Sequence, residues 1–228
     1  MKILIIEDNE SLNDAIFTSL NVENYFCEKA NNYNLASQKI NLYEYDVVIV
    51  DINLPDGSGL DIIRELKKTN PLTGIIVISA RNSLNNKIEG IELGADDYLT
   101  KPFDMAELIV RIKSLIRRRF LKGENIITIG DISINVDKRE VKVKNIEIEL
   151  TKSEYEILLF LFLNPNRVIT KESIAEHIWG DNMDLADSFD FIYSHIKNLK
   201  KKIISQNANY PIKSIYGIGY KLDIDETD

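Results

Sequence analysis

Glu7, Asp8, Asp51, Ser79 and Lys101 are side chains whose types and placement could do chemistry together. Each follows a short apolar run. Lys2-Ile3-Leu4-Ile5-Ile6 leads into Glu7-Asp8, and Asp46-Val47-Val48-Ile49-Val50 leads into Asp51. Gly74-Ile75-Ile76-Val77-Ile78 leads into Ser79, and Tyr98-Leu99-Thr100 leads into Lys101. Three carboxylates brought within a few ångströms repel one another unless a cation sits among them. An all-oxygen donor set of modest charge is the preference of Mg²⁺. With a hydroxyl and an ammonium alongside, the set reads as a phosphoryl-handling site.

Short continuous apolar runs that alternate with helical patterns predict strands of a parallel sheet buried on both faces. In open sheets of that kind ligands bind at the carboxyl ends of the strands, where all five residues fall. The intervening helices show in their apolar spacing: Leu12, Ile16 and Leu20; Ile88, Ile91 and Leu93 before Gly94; and Leu108, Ile109, Ile112, Leu115 and Ile116. The last helix closes in Arg117-Arg118-Arg119, cations favourable to its dipole. A further strand is expected over Tyr25 to Lys29. It holds Cys27, the single cysteine, which excludes an intramolecular disulfide and fits a reducing cytoplasm.

At 228 residues the chain suits two domains with a core each. Residues 1–119 form the first, 120–125 the joint and 126–224 the second. Past the joint the apolar period becomes two, in Ile132, Ile134 and Val136 and again in Ile146, Ile148 and Leu150, which predicts a small antiparallel sheet with one wet face. Thr151 and Glu154 make a capping box that opens a helix to Leu163. Thr170 starts a short helix ending near Trp179-Gly180, and a third helix runs from about Asp187 to Ser205. A hairpin around Tyr216-Gly217-Ile218-Gly219-Tyr220 follows. Three helices and a two-stranded wing give a winged helix-turn-helix order, and Asp223 to Asp228 reads as a frayed acidic tail.

The longest uninterrupted apolar run, Ile157 to Leu163, is too short to span a bilayer, and the N-terminus lacks signal-peptide anatomy. A cytoplasmic protein without a membrane partner is expected. A net charge of −8 argues against indiscriminate nucleic-acid binding, but the charge is segregated. From Phe191 to Leu222 there is no Asp or Glu, while Lys197, Lys200, Lys201, Lys202, Lys213 and Lys221 all fall there. A local basic surface on an acidic chain says more than its overall balance. His177 and His195 stand on helices without metal-ligand partners and read as structural.

Taken in order, these segments resemble the OmpR/PhoB-type two-component response regulators. The first half is similar to their receiver at Glu7-Asp8, Asp51-Ile52-Asn53-Leu54-Pro55-Asp56-Gly57-Ser58-Gly59, Ser79-Ala80 and Gly94-Ala95-Asp96-Asp97-Tyr98-Leu99-Thr100-Lys101-Pro102-Phe103. The second is similar to their effector domain at Leu150-Thr151, Ile178-Trp179-Gly180, His195-Ile196-Lys197-Asn198-Leu199-Lys200-Lys201 and Gly217-Ile218-Gly219-Tyr220. The resemblance implies a flavodoxin-like, doubly wound five-stranded α/β receiver of strand order 2-1-3-4-5, followed by an α+β winged helix-turn-helix domain.

It further implies that Asp51 is a phosphoacceptor served by a sensor histidine kinase and is not the nucleophile of a turnover enzyme. Glu7, Asp8 and Asp51 would hold Mg²⁺ by their side chains and Asn53 by its carbonyl. Lys101 and Ser79 would meet phosphoryl oxygens, a cis peptide would precede Pro102, and Tyr98 would be the switch aromatic. Phosphorylation would make a homodimer through a face containing Lys87, Asp96, Asp97, Glu107 and Arg111, with Lys87 meeting Glu107 and Asp97 meeting Arg111 across the two-fold axis. Promoter DNA would be met by Lys197, Asn198, Lys200 and Lys201 on the third helix and by Ser214 and Tyr216 on the wing, with RNA polymerase a further partner. The family commonly has Arg at the positions of Lys197, Asn198 and Lys200, and often at Tyr216. A lysine keeps the phosphate contact but not a bidentate fork. Two other readings stay open: an aspartyl-phosphate hydrolase, and an interaction module whose basic helix binds an acidic protein.

Overall fold

The computed structural model describes residues 1–80, 84–120, 123–179 and 189–224. The chain divides into two compact units, Met1–Arg119 and Phe120–Asp228. The first contains β1 (Lys2–Ile6), α1 (Glu10–Val22), β2 (Phe26–Ala30), α2 (Tyr33–Leu42), β3 (Val47–Asp51), β4 (Asn53–Leu54), β5 (Gly57–Ser58), α3 (Gly59–Thr69), β6 (Gly74–Ala80), α4 (Leu84–Glu92), β7 (Asp97–Lys101) and α5 (Met105–Phe120). Five strands pair in parallel in the order β2-β1-β3-β6-β7. Every residue of β1 and β3 is buried, which is why their apolar runs are unbroken. Counting only this sheet, the order is 2-1-3-4-5, so the chain reverses direction between the first and third strands and opens a crevice at their carboxyl ends.

Local chemistry fixes the segments around that crevice. Asn9 caps α1, its side chain accepting from Leu12 N, so the helix begins directly after Glu7-Asp8. Beyond Asp51 the chain folds into the β4–β5 hairpin, whose Asp56 accepts from Tyr33 N and Asn34 N at the start of α2. Gly59 then passes so close to Asp51 that a Cβ would lie 2.1 Å from the Asp51 carbonyl oxygen. Only glycine fits there.

Two expectations change in this unit. The second strand runs one residue later than Tyr25 to Lys29, with Cys27 half-buried. Ile88 and Ile91 are 49% and 51% exposed and do not face the core. Gly90 is the buried residue on this turn of α4, a Cβ there lying 3.7 Å from Val77 and 3.8 Å from Leu60, so the face that holds Ile88 and Ile91 is turned outward.

The second unit opens with β8 (Ile126–Ile129), β9 (Ile132–Asn135), β10 (Glu140–Val143) and β11 (Ile146–Ile148), an antiparallel sheet in the order β11-β10-β9-β8. Then come α6 (Lys152–Leu163), β12 (Val168–Thr170), α7 (Lys171–Trp179), α8 (Asp190–Ile204), β13 (Ile212–Ile215) and β14 (Gly219–Leu222). The capping box is present, Thr151 and Glu154 each accepting the other's backbone N–H. The wing is a three-stranded sheet, β12-β14-β13, and not the expected two-stranded one. Gly219 allows this, since a Cβ there would lie 2.0 Å from the Ile169 carbonyl oxygen of β12. Gly180 and the expected helix start at Asp187 lie outside the described residues. His177 stacks on Phe160 with ring centroids 4.2 Å apart and lies 3.7 Å from the buried Glu156 carboxylate, a packing role.

Candidate functional site

Strand register gathers the predicted residues of the first unit. Ile6 pairs with Val50, so Glu7 and Asp51 leave neighbouring strands at one level. Asp51 pairs with Ile78 and Ser79 with Thr100, which brings Ser79 and Lys101 to the same edge. Lys101 Nζ is the hub, 2.6 Å from Asp51 Oδ2, 2.8 Å from Glu7 Oε1 and 2.6 Å from Glu7 Oε2. Asn53 N donates to Asp51 Oδ1 at 3.0 Å, turning the β4–β5 hairpin onto the carboxylate. The peptide between Lys101 and Pro102 is cis. Ligand atoms of Glu7, Asp8 and Asp51 lie within 4.8 Å of one another.

The charges in this cluster do not cancel. Glu7 and Ser79 are wholly buried and Asp51 nearly so, while Asp8 is exposed. Burial pushes the Glu7 pKa up, against Lys101, and the neighbouring Asp51 carboxylate pushes the same way. Burial works against the Lys101 ammonium too, but hydrogen bonds to Asp51 and Glu7 outweigh it and hold its pKa above the usual lysine value. Lys101 is thus shared between two buried carboxylates, Asp51 and Glu7, and does not fully offset the burial of Glu7. Glu7 Oε2 is buried and accepts no well-aligned hydrogen bond even with Lys101 Nζ 2.6 Å away. An oxygen-only, electron-rich cluster with an underused buried carboxylate oxygen suits a hard divalent cation.

Sequence reasoning missed Asn13. It is buried on the inner face of α1, and its Nδ2 donates to the Glu7 carbonyl at 2.8 Å, fixing the backbone that aims Glu7. The signal available was an asparagine on the Leu12–Ile16–Leu20 stripe. Tyr98, on β7, is 9% exposed and so turned inward.

The expected dimer-face charges are found bound within one chain. Arg111 holds Asp97 at 2.8 and 3.0 Å and Glu107 at 2.7 Å, and Asp96 pairs with Arg119 at 2.8 Å. The side chain of Lys87 lies outside the described residues. The same elements expose apolar surface at Ile88, Ile91 and Val110, the last 65% exposed.

In the second unit Lys197, Asn198, Lys200, Lys201, Ser214 and Tyr216 are all exposed, Tyr216 fully so at the wing tip. α8 buries Ile192, Ile196, Leu199 and Ile203, an i, i+4, i+7, i+11 face that turns the lysines outward. The acid-free window is less basic in space than in sequence. Lys202 pairs with Glu154 at 2.6 Å, while Lys213 and Lys221 pair with Asp223, just past the window. Lys197, Lys200 and Lys201 have no carboxylate partner among the described residues.

A carboxylate cluster at the switch point of an α/β sheet, followed by a winged helix with a basic outer face, defines a phosphoryl-responsive DNA-binding regulator. Residues 3–113 match the family described as response regulator receiver domain, and residues 145–222 match transcriptional regulatory protein, C terminal. The chain is 35% identical over 218 residues to response regulator ArlR of Staphylococcus epidermidis, covering 96% of this chain and 97% of that one. It is 33% identical over 223 residues to the uncharacterized transcriptional regulatory protein YkoG of Bacillus subtilis, covering 96% and 97%. A crystal structure of a CheY-like response regulator receiver domain protein from Methanospirillum hungatei aligns with TM-score 0.52 at 28% identity, over 54% of this chain and 98% of that one. The chain belongs to the two-component response regulators of OmpR/PhoB type, in which a receiver domain is joined to a DNA-binding domain that controls transcription. No helix among the described residues is long and apolar enough to cross a membrane.

Proposed function

We propose that Asp51 accepts a phosphoryl group from a sensor histidine kinase, and that this drives receiver pairing and binding to promoter DNA, regulating transcription by RNA polymerase. The observation that carries the reading is the Lys101 ammonium bridging Asp51 and Glu7 at the ends of adjacent strands. A carboxylate is a weak nucleophile, and phosphoryl transfer asks chiefly for alignment and for cations on the transferred oxygens. Lys101 moves from the carboxylates to a phosphoryl oxygen, and the Ser79 hydroxyl donates to another. The Asn53 N–H, donating to Asp51 Oδ1, holds the carboxylate against rotation. Glu7, Asp8 and Asp51 would hold Mg²⁺ by their side chains and Asn53 by its carbonyl. Such a cation would supply positive charge for the clustered carboxylates and for the incoming phosphoryl oxygens. Tyr98 is the switch aromatic: expected to turn inward as Ser79 moves toward the phosphoryl group, it already lies inward here, so engagement of Ser79 fixes that position instead of creating it. Receivers pair through α4, β7 and α5, where Ile88, Ile91 and Val110 supply the affinity and Lys87, Asp96, Asp97, Glu107 and Arg111 the register. On the effector side α8 enters a major groove with Lys197, Asn198, Lys200 and Lys201, and Ser214 and Tyr216 approach the neighbouring backbone or minor groove.

Incubation with a labelled small phosphodonor tests the acceptor. Wild type should take up label only with a divalent cation present, and Asp51→Asn should fold and take up none. Equal labelling of the two proteins, or full labelling in excess chelator, would reject the assignment.

A further inference from the structure

No arginine follows Arg167, so neither α8 nor the β13–β14 hairpin carries a guanidinium. That matters because guanine O6 and N7 are read by arginine or lysine, and of the two only the guanidinium is a rigid fork that fits both atoms at once. The outer stripe of α8 offers a different chemistry. Tyr193, Ser194, Lys197, Asn198 and Lys201 are exposed and lie opposite the buried Ile192, Ile196, Leu199 and Ile203. Tyr193 is 62% exposed and stands in the first turn of the helix. It lines a groove of about 890 Å³ between α8 and the hairpin, with Lys197, Lys200 and Ser214 also on its walls. In helix-turn-helix docking the N-terminal residues of the recognition helix meet the base edges. An exposed aromatic ring there is a flat apolar surface suited to the C5-methyl of thymine. One turn on, Asn198 carries the donor and acceptor that complement adenine N6 and N7. Ser194 donates its hydroxyl to the Asp190 carbonyl at 3.2 Å, so it can only accept, from a base amino group. The lysines are point charges that fit phosphates, or a guanine acceptor without the fork that fixes its orientation, so the most specific contacts on this stripe are those of Asn198 and Tyr193.

We infer that α8 selects half-sites weighted toward A·T pairs, reading adenine through Asn198 and a thymine methyl through the ring of Tyr193. This rests on the proposed role of α8 in DNA binding and adds to it the identity of the bases. Selection of full-length, phosphodonor-treated protein on random duplexes should yield an A·T-weighted half-site, with one adenine whose preference is lost in Asn198→Ala. On the selected duplex, replacing single thymines by deoxyuridine removes the methyl alone. At one position per half-site this should weaken wild-type binding by about three- to tenfold. Tyr193→Phe should keep that penalty, because it keeps the ring, and Tyr193→Ala should lose it. Circular dichroism and a thermal melt of each variant, matching those of wild type, show that it is folded. A G·C-weighted half-site, or a deoxyuridine penalty unchanged in Tyr193→Ala, overturns the inference while leaving DNA binding intact. Wild type that binds no duplex at low salt overturns the DNA-binding reading itself and this inference with it.

Discussion

Buried carboxylates in this chain do opposite things according to what faces them. Glu7 has more negative charge around it than one ammonium can balance, whereas Glu154 is fully answered. Burial would raise the Glu154 pKa, but the Lys202 ammonium at 2.6 Å and the Thr151 N–H at 2.9 Å prevail and hold it below the usual carboxylate value. A carboxylate depressed by folding adds stability that is fully present above its unfolded pKa, near 4.5, and is lost as pH falls through its lower folded value. Glu154→Gln removes the ion pair with Lys202 but keeps an amide oxygen that can accept the Thr151 N–H of the capping box. At pH 7 the second unit should lose about 1 kcal/mol. The gap to wild type should narrow as pH falls through the depressed folded pKa of Glu154, where the wild-type carboxylate also takes up a proton. Denaturant melts of the two proteins at pH 7 and at pH 3 check this, and a gap that widens in acid would contradict it.

Elements were legible where one physical signal dominated. The central sheet strands β1, β3 and β6 showed as apolar runs because both faces are covered, and Asp51, Glu7, Ser79 and Lys101 could be placed because strand ends follow from strand positions. What stayed hidden depends on partners distant in sequence. β12 is three residues long and exists because β14 accepts it over Gly219. Glu28 is buried with Lys2 at 3.1 Å, Lys39 at 2.9 Å and the Tyr45 hydroxyl at 2.6 Å, a grouping that no local spacing announces. The outward turn of Ile88 and Ile91 follows from Gly90, whose packing no periodicity encodes. The basic window is the same lesson for α8: it counts six lysines, but three are answered by Glu154 and Asp223. With Lys197, Lys200 and Lys201 left for phosphates, a protein dimer should release about six counterions, giving a log–log salt slope of roughly −5. Lys200→Ala and Lys201→Ala should each flatten it by about two in the dimer, one per protomer, and weaken all sequences alike. Fluorescence anisotropy across a salt series measures this. A slope unchanged in both variants would remove α8 from the DNA.

At the scale of the whole molecule, the proposed function has the chemistry at Asp51 reach DNA affinity through pairing of two chains. Arg111 is saturated by Asp97 and Glu107 within its own chain, so a charged cross-chain contact must first give up an existing one, and exposed ion pairs contribute little in any case. The apolar residues face no such exchange. Ile88, Ile91 and Val110 stand on the two helices joined in sequence by the edge strand β7, whose last residue is Lys101 of the acceptor site. In a two-fold interface each residue is used twice, so burying the exposed half of Ile91 in both chains is worth about 2 kcal/mol, roughly thirtyfold in the dimer constant. Ile91→Glu should cost at least that, since it also places two carboxylates at a desolvated seam. Labelling at Asp51 should be untouched, because Ile91 contributes nothing to the acceptor site. Sedimentation of phosphorylated wild type at tens of micromolar should show dimer, and Ile91→Glu monomer. On DNA the dimer should occupy two half-sites about one helical turn apart, roughly 10–11 base pairs. Inserting five base pairs between them should cost the phosphorylated wild type its gain in affinity and leave Ile91→Glu, which binds each half-site singly, indifferent to the spacing. A variant that still sediments as a dimer, or that responds to the insertion as wild type does, would show that receivers pair through some other surface.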